Sequence, residues 1–360
     1  MTRTIAHILG DWGRNIGNAF FQLGGQHVLR KVVPDASIML INEQPGYPSY
    51  WNPKGGNPSG FFDLPAVIDV DFLVLMGPMF RKETLAIWGD TFRKINLKKT
   101  RLILLGVACM VYDPDSIESY RAFLKEFPPY LLTSRDSETY QYLGKYADHA
   151  YDGIDLAFYL PEIYQPIGFP TLKPLIALNF DKIPEPKISI HGELPGVNPV
   201  NDRFNKTFNY QDRQWCLNFP RFRKAMAEKS RYLMFLEGII FRDRTPDMIG
   251  EYHVIRTDHR PHPLIRRKTY RAMNVLVNDV PYPYFEVYHQ AELTLSNRIH
   301  ACVAALSYGN SAMLFSQSPR IRMLERIGLD DITKNPVGLE TSMIENEKRN
   351  LEQFIRKVLS

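Results

Sequence analysis

Three cysteines among 360 residues, Cys109, Cys216 and Cys302, are too few and too far apart for a disulfide framework or a zinc knuckle. Each sits among apolar or aromatic neighbours, so free thiols are expected. No apolar run approaches the roughly 20 residues that cross a bilayer, and residues 1–9 lack the basic start and long apolar core of a secretion signal. The expected place is the cytoplasm, with peripheral contact at the inner face of the membrane left open. The net charge is only +5, with no basic repeat and no nucleic-acid motif, which argues against nucleic acid and for small anions or a membrane surface. Neither G-x-G-x-x-G nor H-E-x-x-H occurs, so neither a nicotinamide cofactor nor a bound metal is expected.

What the chain does contain is a series of short apolar runs. Residues 4–9, 37–41, 71–76, 101–106 and 131–133 are nearly continuous in apolar side chains, and helical patterns lie between them. That is the signature of parallel strands covered on both faces. Residues 161–174 carry four prolines and read as a linker, after which residues 175–180 look like the first strand of a second α/β unit. The expected architecture is therefore two Rossmann-like domains in a GT-B-like arrangement, residues 1–160 and 175–341, with a ligand cleft between them. Residues 342–360 form a charged amphipathic pattern with Ile344, Leu351, Phe354, Ile355 and Leu359 on one face, expected to pack back across the domains. Residues 191–210 read as an extended loop and 231–241 as a strand.

Several junctions carry candidate chemistry. Residues 292–315, ELTLSNRIHACVAALSYGNSAMLF, read as strand, helix, strand, with Ser296 and Asn297 as N-caps, Arg298 and His300 in the first turn, and Gly309 as the stop. A fixed cation, an imidazole and the free N–H groups of a helix start, including that of Ile299, suit a phosphate or carboxylate. A surface-capping arginine and a satisfied core histidine would give the same pattern. Arg135 sits at another strand-to-helix junction, followed by Asp136, and Asp155 follows a further strand. Near the start, Gly10, Asp11, Gly13, Asn15, Gly17 and Asn18 form a loop that lets backbone approach a ligand or sugar hydroxyl, or simply turns the chain. The proline- and glycine-rich stretch 43–64 interleaves Tyr47, Tyr50, Trp51, Phe61 and Phe62, which suits sugar stacking or surface ordering equally. Residues 252–271 are dense in arginine and histidine, including His253, His259 and His262; a solvated face is the expected reading, a diphosphate or anionic bilayer the alternative.

The stretch SNRIHACVAALSYGNSAMLF resembles the C-terminal signature of the polysaccharide pyruvyl transferase family. ILGDWGRNIGNAFFQLGGQHVL resembles that family's opening loop, and LLTSRDSETYQYLGKYADHAYDGIDLAFYLP its central Arg-Asp motif and later aspartate. In DFLVLMGPMF, Gly77-Pro78 stands where the family has a glycine cluster, and Asn18 stands where aspartate is common. The resemblance implies transfer of a pyruvyl group from phosphoenolpyruvate onto two hydroxyls of a sugar in a cell-surface glycan or its precursor. The product is a ketal, phosphate is released, and no cofactor is needed beyond the co-substrate. On that reading Arg135 of the first domain joins Ser296, Arg298, Ile299 and His300 of the second in the donor site, with His300, Arg298 and Asp155 catalytic. On the first-domain side, Asp11, Asn15, Gly17, Asn18 and Trp51 would meet a simple, lipid-linked or nucleotide-linked saccharide. A GT-B glycosyltransferase using a nucleotide sugar and a non-catalytic glycan-binding protein are the alternatives.

Overall fold

The computed structural model describes residues 2–360 except 11, 43–44, 46–61, 98, 193–200, 231–232, 234–235, 237–239, 242–245, 261–271 and 317. Six strands, β1 (Thr4–Leu9), β2 (Ser37–Asn42), β3 (Phe72–Phe80), β4 (Arg101–Cys109), β5 (Leu131–Ser134) and β6 (His149–Asp152), form one sheet in the order β2-β1-β3-β4-β5-β6. All its pairings are parallel. β3 and β4 are buried along most of their length because helices cover both faces of the sheet, which explains their near-continuous apolar sequence. β3 runs on through Gly77-Pro78, past the expected end at Met76. The ladder shifts register at Gly77, whose φ is +76°, so the proline falls at a bulge where its missing N–H breaks no regular pair.

The second half is built on β7 (Leu175–Asn179). Three strands follow it in sequence and form a small antiparallel sheet, β8 (Lys187–Gly192), β9 (Asn205–Tyr210) and β10 (Arg213–Asn218), in the order β8-β10-β9. β11 (Met248–Ile249), β12 (Tyr252–Thr257), β13 (Val275–Leu276), β14 (Ala291–Ser296) and β15 (Ser311–Leu314) complete the main sheet, ordered β11-β12-β7-β14-β15 with β13 on β12. β12, β7, β14 and β15 run parallel. The fold is thus mixed α/β with two Rossmann-like parallel sheets, as the apolar runs require.

Three expectations change. The stretch read as a loop contains β9, which pairs with β10 across a tight turn at Gln211-Asp212 (φ +50° and +55°). Its inward Phe208 stacks on Trp215 at 6.0 Å, and that single buried face outweighs the loop-like asparagines around it. In 231–241 the described residues Leu233, Leu236 and Ile240 are helical, in keeping with their three- and four-residue spacing. The first part of the basic segment is a buried strand rather than a solvated face: Arg256 is enclosed because Glu185 meets it with two contacts of 2.7 Å. Residues 261–271, with His262, lie outside the described residues.

One hydrophobic core runs through both halves. It joins the helix Gly17–Val32 and the 3-10 turn Leu156–Tyr159 to the helices Tyr282–Gln290 and Ile299–Ser307. The last helix, Thr341–Leu359, buries Ile344, Leu351, Ile355 and Leu359. It is held by Tyr151 stacked on Phe354 (4.9 Å) and by Tyr130 Oη donating to the Val358 carbonyl (3.0 Å). Among the described residues no helix is long and apolar enough to cross a membrane.

Gly24 lets the first helix press on the 3-10 turn, since a Cβ there would lie 1.8 Å from the Leu156 carbonyl oxygen. Replacing Gly24 by Ala is expected to destabilise the protein by about 1–3 kcal/mol. Urea unfolding reads this as a lower midpoint at unchanged slope; an unmoved midpoint means the turn can shift freely.

Candidate functional site

In parallel sheets ligands gather outside the carboxyl ends of the strands. In this protein three of those ends, from β7, β12 and β14, meet at the Asp181 carboxylate. Asp181 follows β7 and accepts from Arg298 Nε at 2.6 and 2.9 Å; Arg298 follows β14. It also accepts from the backbone N–H of His259, which follows β12, at 3.2 Å. The Asn297 amide fits with its nitrogen 3.2 Å from Asp181 Oδ1 and its oxygen accepting from Lys182 N at 2.9 Å. Burial opposes the Asp181 charge, but Arg298 outweighs it and holds the carboxyl well below its usual range.

Ser296 and Asn297 are not the N-caps. The helix Ile299–Ser307 begins one residue later, on Arg298, because Ser296 Oγ accepts from the Arg298 N–H (2.8 Å) and Asn297 is committed to Asp181 and Lys182. The N–H groups of Ile299 and His300, two residues on the crevice wall, therefore have no intrahelical partner. At the far end Gly309 (φ +84°) donates to Leu306 O, and Asn310 to Ala305 O, both at 3.0 Å, which closes the helix as the sequence suggests.

The first sheet supplies the floor. Arg135, just after β5, donates through Nη1 to Asp155 Oδ2 at 2.7 Å, and both side chains are almost fully buried. Asp155 Oδ1 accepts from Ala157 N at 2.9 Å. His300 Nε2 lies 3.5 Å from Asp155 Oδ2 and 3.4 Å from Arg135 Nη1, with the Phe21 ring 5.2 Å away. Burial lowers the His300 pKa and Asp155 works against that; burial likewise opposes the Asp155 charge, but Arg135 keeps the carboxyl ionised.

Above this floor is a narrow crevice whose walls include Asn15, Lys182, His259, Arg298, His300 and Arg320. Its donors are not spent: Arg135 Nη2, Arg298 Nη2, Arg320 Nε and His259 Nδ1 are buried without a partner among the described residues. Burial and Arg298 push the Lys182 ammonium down to about 6, and burial with Arg135 pushes Arg320 down to about 9. Four basic side chains face two ionised carboxylates, so the crevice is built to receive an anion.

Arg298, Ile299, His300 and Asn15 line the crevice. Gly17 lies beside it, since a Cβ there would come within 3.2 Å of His259 Nδ1 and 3.4 Å of His300 Cβ. Asn18 stands behind Asn15, accepting from its amide at 2.8 Å. Arg135 and Asp155 lie beneath His300, and Ser296 lies under the helix start. Asp11 and Trp51 fall outside the described residues. Sequence reading missed Asp181, Lys182 and Arg320 and left His259 in a surface run. Asp181 and His259 each follow a parallel strand by two residues, the same signal that marked Arg135 and Arg298; Arg320 stands farther beyond β15, in the 3-10 turn Pro319–Ile321, where no such signal marks it.

Two parallel sheets aiming their carboxyl ends at one cationic crevice define a GT-B-like α/β protein. The family model for polysaccharide pyruvyl transferase matches residues 15–319; the chain belongs to that family and is a transferase. It is similar in chain trace to the S. aureus MnaA–UDP complex (10% identity, 99% of this chain and 91% of that one, TM-score 0.49). It is also similar to the UDP-GlcNAc 2-epimerase of Neisseria meningitidis bound to UDP-GlcNAc (11%, 99% and 94%, 0.49) and to the UDP-N-acetylglucosamine 2-epimerase of Rickettsia bellii (10%, 99% and 97%, 0.48). No curated protein sequence matches the chain.

Two outcomes follow from the buried charges. His7 and His259 are both lowered by burial to about 3, so below about pH 6.5 the unfolded chain binds protons that the folded one does not. Stability from urea unfolding should fall from pH 7 to pH 5, each histidine costing roughly 2 kcal/mol and Asp258, whose carboxyl burial pushes up to about 7, offsetting part of it, and should fall further below about pH 4 as Asp155 and Asp181 protonate; a flat profile contradicts this. Inorganic phosphate bound at pH 8 should restore the Lys182 proton, seen as proton uptake when calorimetry is repeated in buffers of different ionisation heat. In the Lys182→Met variant the uptake should fall, leaving only the share that His300 takes up.

Proposed function

We propose that the protein transfers the enolpyruvyl group of phosphoenolpyruvate to two hydroxyls of a sugar in a cell-surface glycan or its precursor, giving a pyruvate ketal and phosphate. The observation that carries this reading is the set of unspent guanidinium donors around a histidine backed by a carboxylate. Phosphoenolpyruvate brings a carboxylate and a phosphate to be neutralised, and its methylene carbon needs a proton. Family membership supplies the pyruvyl transfer, and the crevice supplies the matching charge.

In the proposed sequence Arg298, the Ile299 N–H and Arg320 hold the donor, while Arg135 and Asp155 brace His300 from below. His300 Nε2 faces Asp155 and Arg135, which leaves Nδ1 to exchange a proton with the ligand. The donor's negative charge raises the proton affinity of His300, and Asp155 stabilises the imidazolium. One sugar hydroxyl adds to the central carbon as the double-bond electrons take a proton from His300, and the hydroxyl's own proton passes to a phosphate oxygen of the donor. Phosphate then leaves with its bonding pair, and the second hydroxyl closes the ring as its proton is lost. The acceptor, a simple, lipid-linked or nucleotide-linked saccharide, enters along the loop carrying Asn15, Gly17 and Asn18, the part of the chain to which Asp11 also belongs. No metal or redox group enters these steps.

Phosphate release from phosphoenolpyruvate, followed by phosphorus NMR over a panel of galactosides, glucosides and mannosides, tests the reading. Release should depend on one acceptor class and fall by roughly 100-fold or more in His300→Ala with the circular dichroism unchanged. Undiminished turnover removes His300 from the mechanism. Silence across the panel, with tight binding of a nucleoside diphosphate instead, turns the assignment to glycosyl transfer.

A further inference from the structure

His259 is not used by the reaction above, yet it is the most enclosed side chain on the crevice wall, 1% exposed. Its ring is boxed by Phe20 (5.4 Å), Tyr284 (5.5 Å) and Tyr288 (5.9 Å), so it cannot swing away. A chain of hydrogen bonds behind it fixes which nitrogen carries the proton. The Asn179 amide nitrogen donates to the Thr257 carbonyl at 2.7 Å, which settles its orientation, and reaches Thr257 Oγ1 at 3.1 Å. Thr257 Oγ1 accepts from Asn179, and among the described residues Tyr288 Oη, 2.8 Å away, is the acceptor within reach of its own buried proton, which sets the direction of that bond. Tyr288 in turn donates to His259 Nε2 at 2.6 Å. With Nε2 an acceptor, the ring proton sits on Nδ1.

Nδ1 has no partner among the described residues. What keeps it open is Gly17: a side chain there would begin 3.2 Å from Nδ1. Arg298, Lys182 and His300 face the same space and, with burial, keep the ring neutral at physiological pH. We propose that His259 is a ligand-binding residue of this crevice, a neutral imidazole locked by Tyr288 so that its Nδ1–H donates to an anionic oxygen, phosphoryl or carboxylate, of the donor. The proposal rests on the reading of the crevice as a phosphoenolpyruvate site. His259 touches the ligand; Tyr288 is a positioning residue that acts through it.

The test uses the full chain labelled with 15N-histidine, the His259 signals being those lost in His259→Asn. Long-range proton–nitrogen spectra should show a protonated Nδ1 and an unprotonated Nε2, unchanged between pH 6 and 8, and both should move when phosphoenolpyruvate is added. Inorganic phosphate moving them equally assigns the phosphoryl oxygen, and phosphoenolpyruvate alone moving them assigns the carboxylate. In Tyr288→Phe the ring should populate both tautomers. Asn places an amide N–H near the Nδ1 position, so His259→Asn should keep the phosphoenolpyruvate Kd within about threefold while His259→Leu weakens it about tenfold or more. A protonated Nε2, a titration inside that pH range, or equal affinity of the Asn and Leu variants overturns the proposal while leaving the donor reading intact. Absence of any calorimetric binding of phosphoenolpyruvate to the wild type overturns the donor reading and this proposal together.

Discussion

The crevice depends on one buried carboxylate. Asp181 is 4% exposed and meets the ends of three parallel strands: its own β7, the His259 N–H beyond β12, and the Arg298 guanidinium beyond β14. Each strand end arrives with polar groups that burial would otherwise leave uncompensated, and a single charged acceptor takes a donor from the β12 end and another from the β14 end. Removing such a carboxylate leaves a buried cation alone, which typically costs more than the pair contributed. The price of the arrangement is rigidity, and rigidity is what a site needs if donors are to be held toward a ligand that is not yet there.

A second constraint ties the halves together. The backbone N–H of Ile16, in the glycine loop of the first half, donates to the carbonyl of His259 in the second at 2.9 Å. Phe20, four residues on, packs edge-on against Phe285 at 5.0 Å and against His259. The loop proposed to meet the acceptor is thereby anchored to the residue proposed to meet the donor. Arg135 and Asp155 reach His300 from the first sheet in the same way. The two ligand sides are assembled from both halves at once, and the continuous core behind them holds the halves in register.

Much of this was legible because the signals are local. An apolar run followed by a helix pattern gives a buried parallel strand whatever surrounds it, so β1, β3, β4, β5, β7 and β14 could be read off directly, as could the residues just beyond β5 and β14. What was not legible depended on partners far along the chain. Arg256 looks like a surface cation until Glu185, 71 residues away, is placed on it. β9 looks like a loop because its polar residues face out and only its pairing with β10 reveals the buried face. The helix start shifted by one residue for the same reason: Ser296 and Asn297 are good caps in isolation, but Asn297 has a stronger claim on it from Asp181 and Lys182. Local propensity lost to a buried tertiary contact in each case.

The two histidines at the crevice show how surroundings divide a chemistry between identical side chains. Burial lowers the proton affinity of both, so neither begins as a cation. Behind His300 stands Asp155, an ionised carboxylate at 3.5 Å, and a carboxylate gains from a positive charge beside it. When an anionic ligand arrives, His300 can take up a proton and pass it on, because the charge it carries for that moment is met from both sides. Behind His259 stands only a hydroxyl, Tyr288, itself held by another hydroxyl. A neutral relay can fix a tautomer but offers nothing to stabilise an imidazolium, and burial together with Arg298 outweighs the favourable charge of Asp181, whose carboxylate Arg298 already holds. His259 is therefore suited to donate a hydrogen bond without changing charge and His300 to change charge without changing place. In the proposed reaction, holding the donor and moving the proton fall to different rings for that reason.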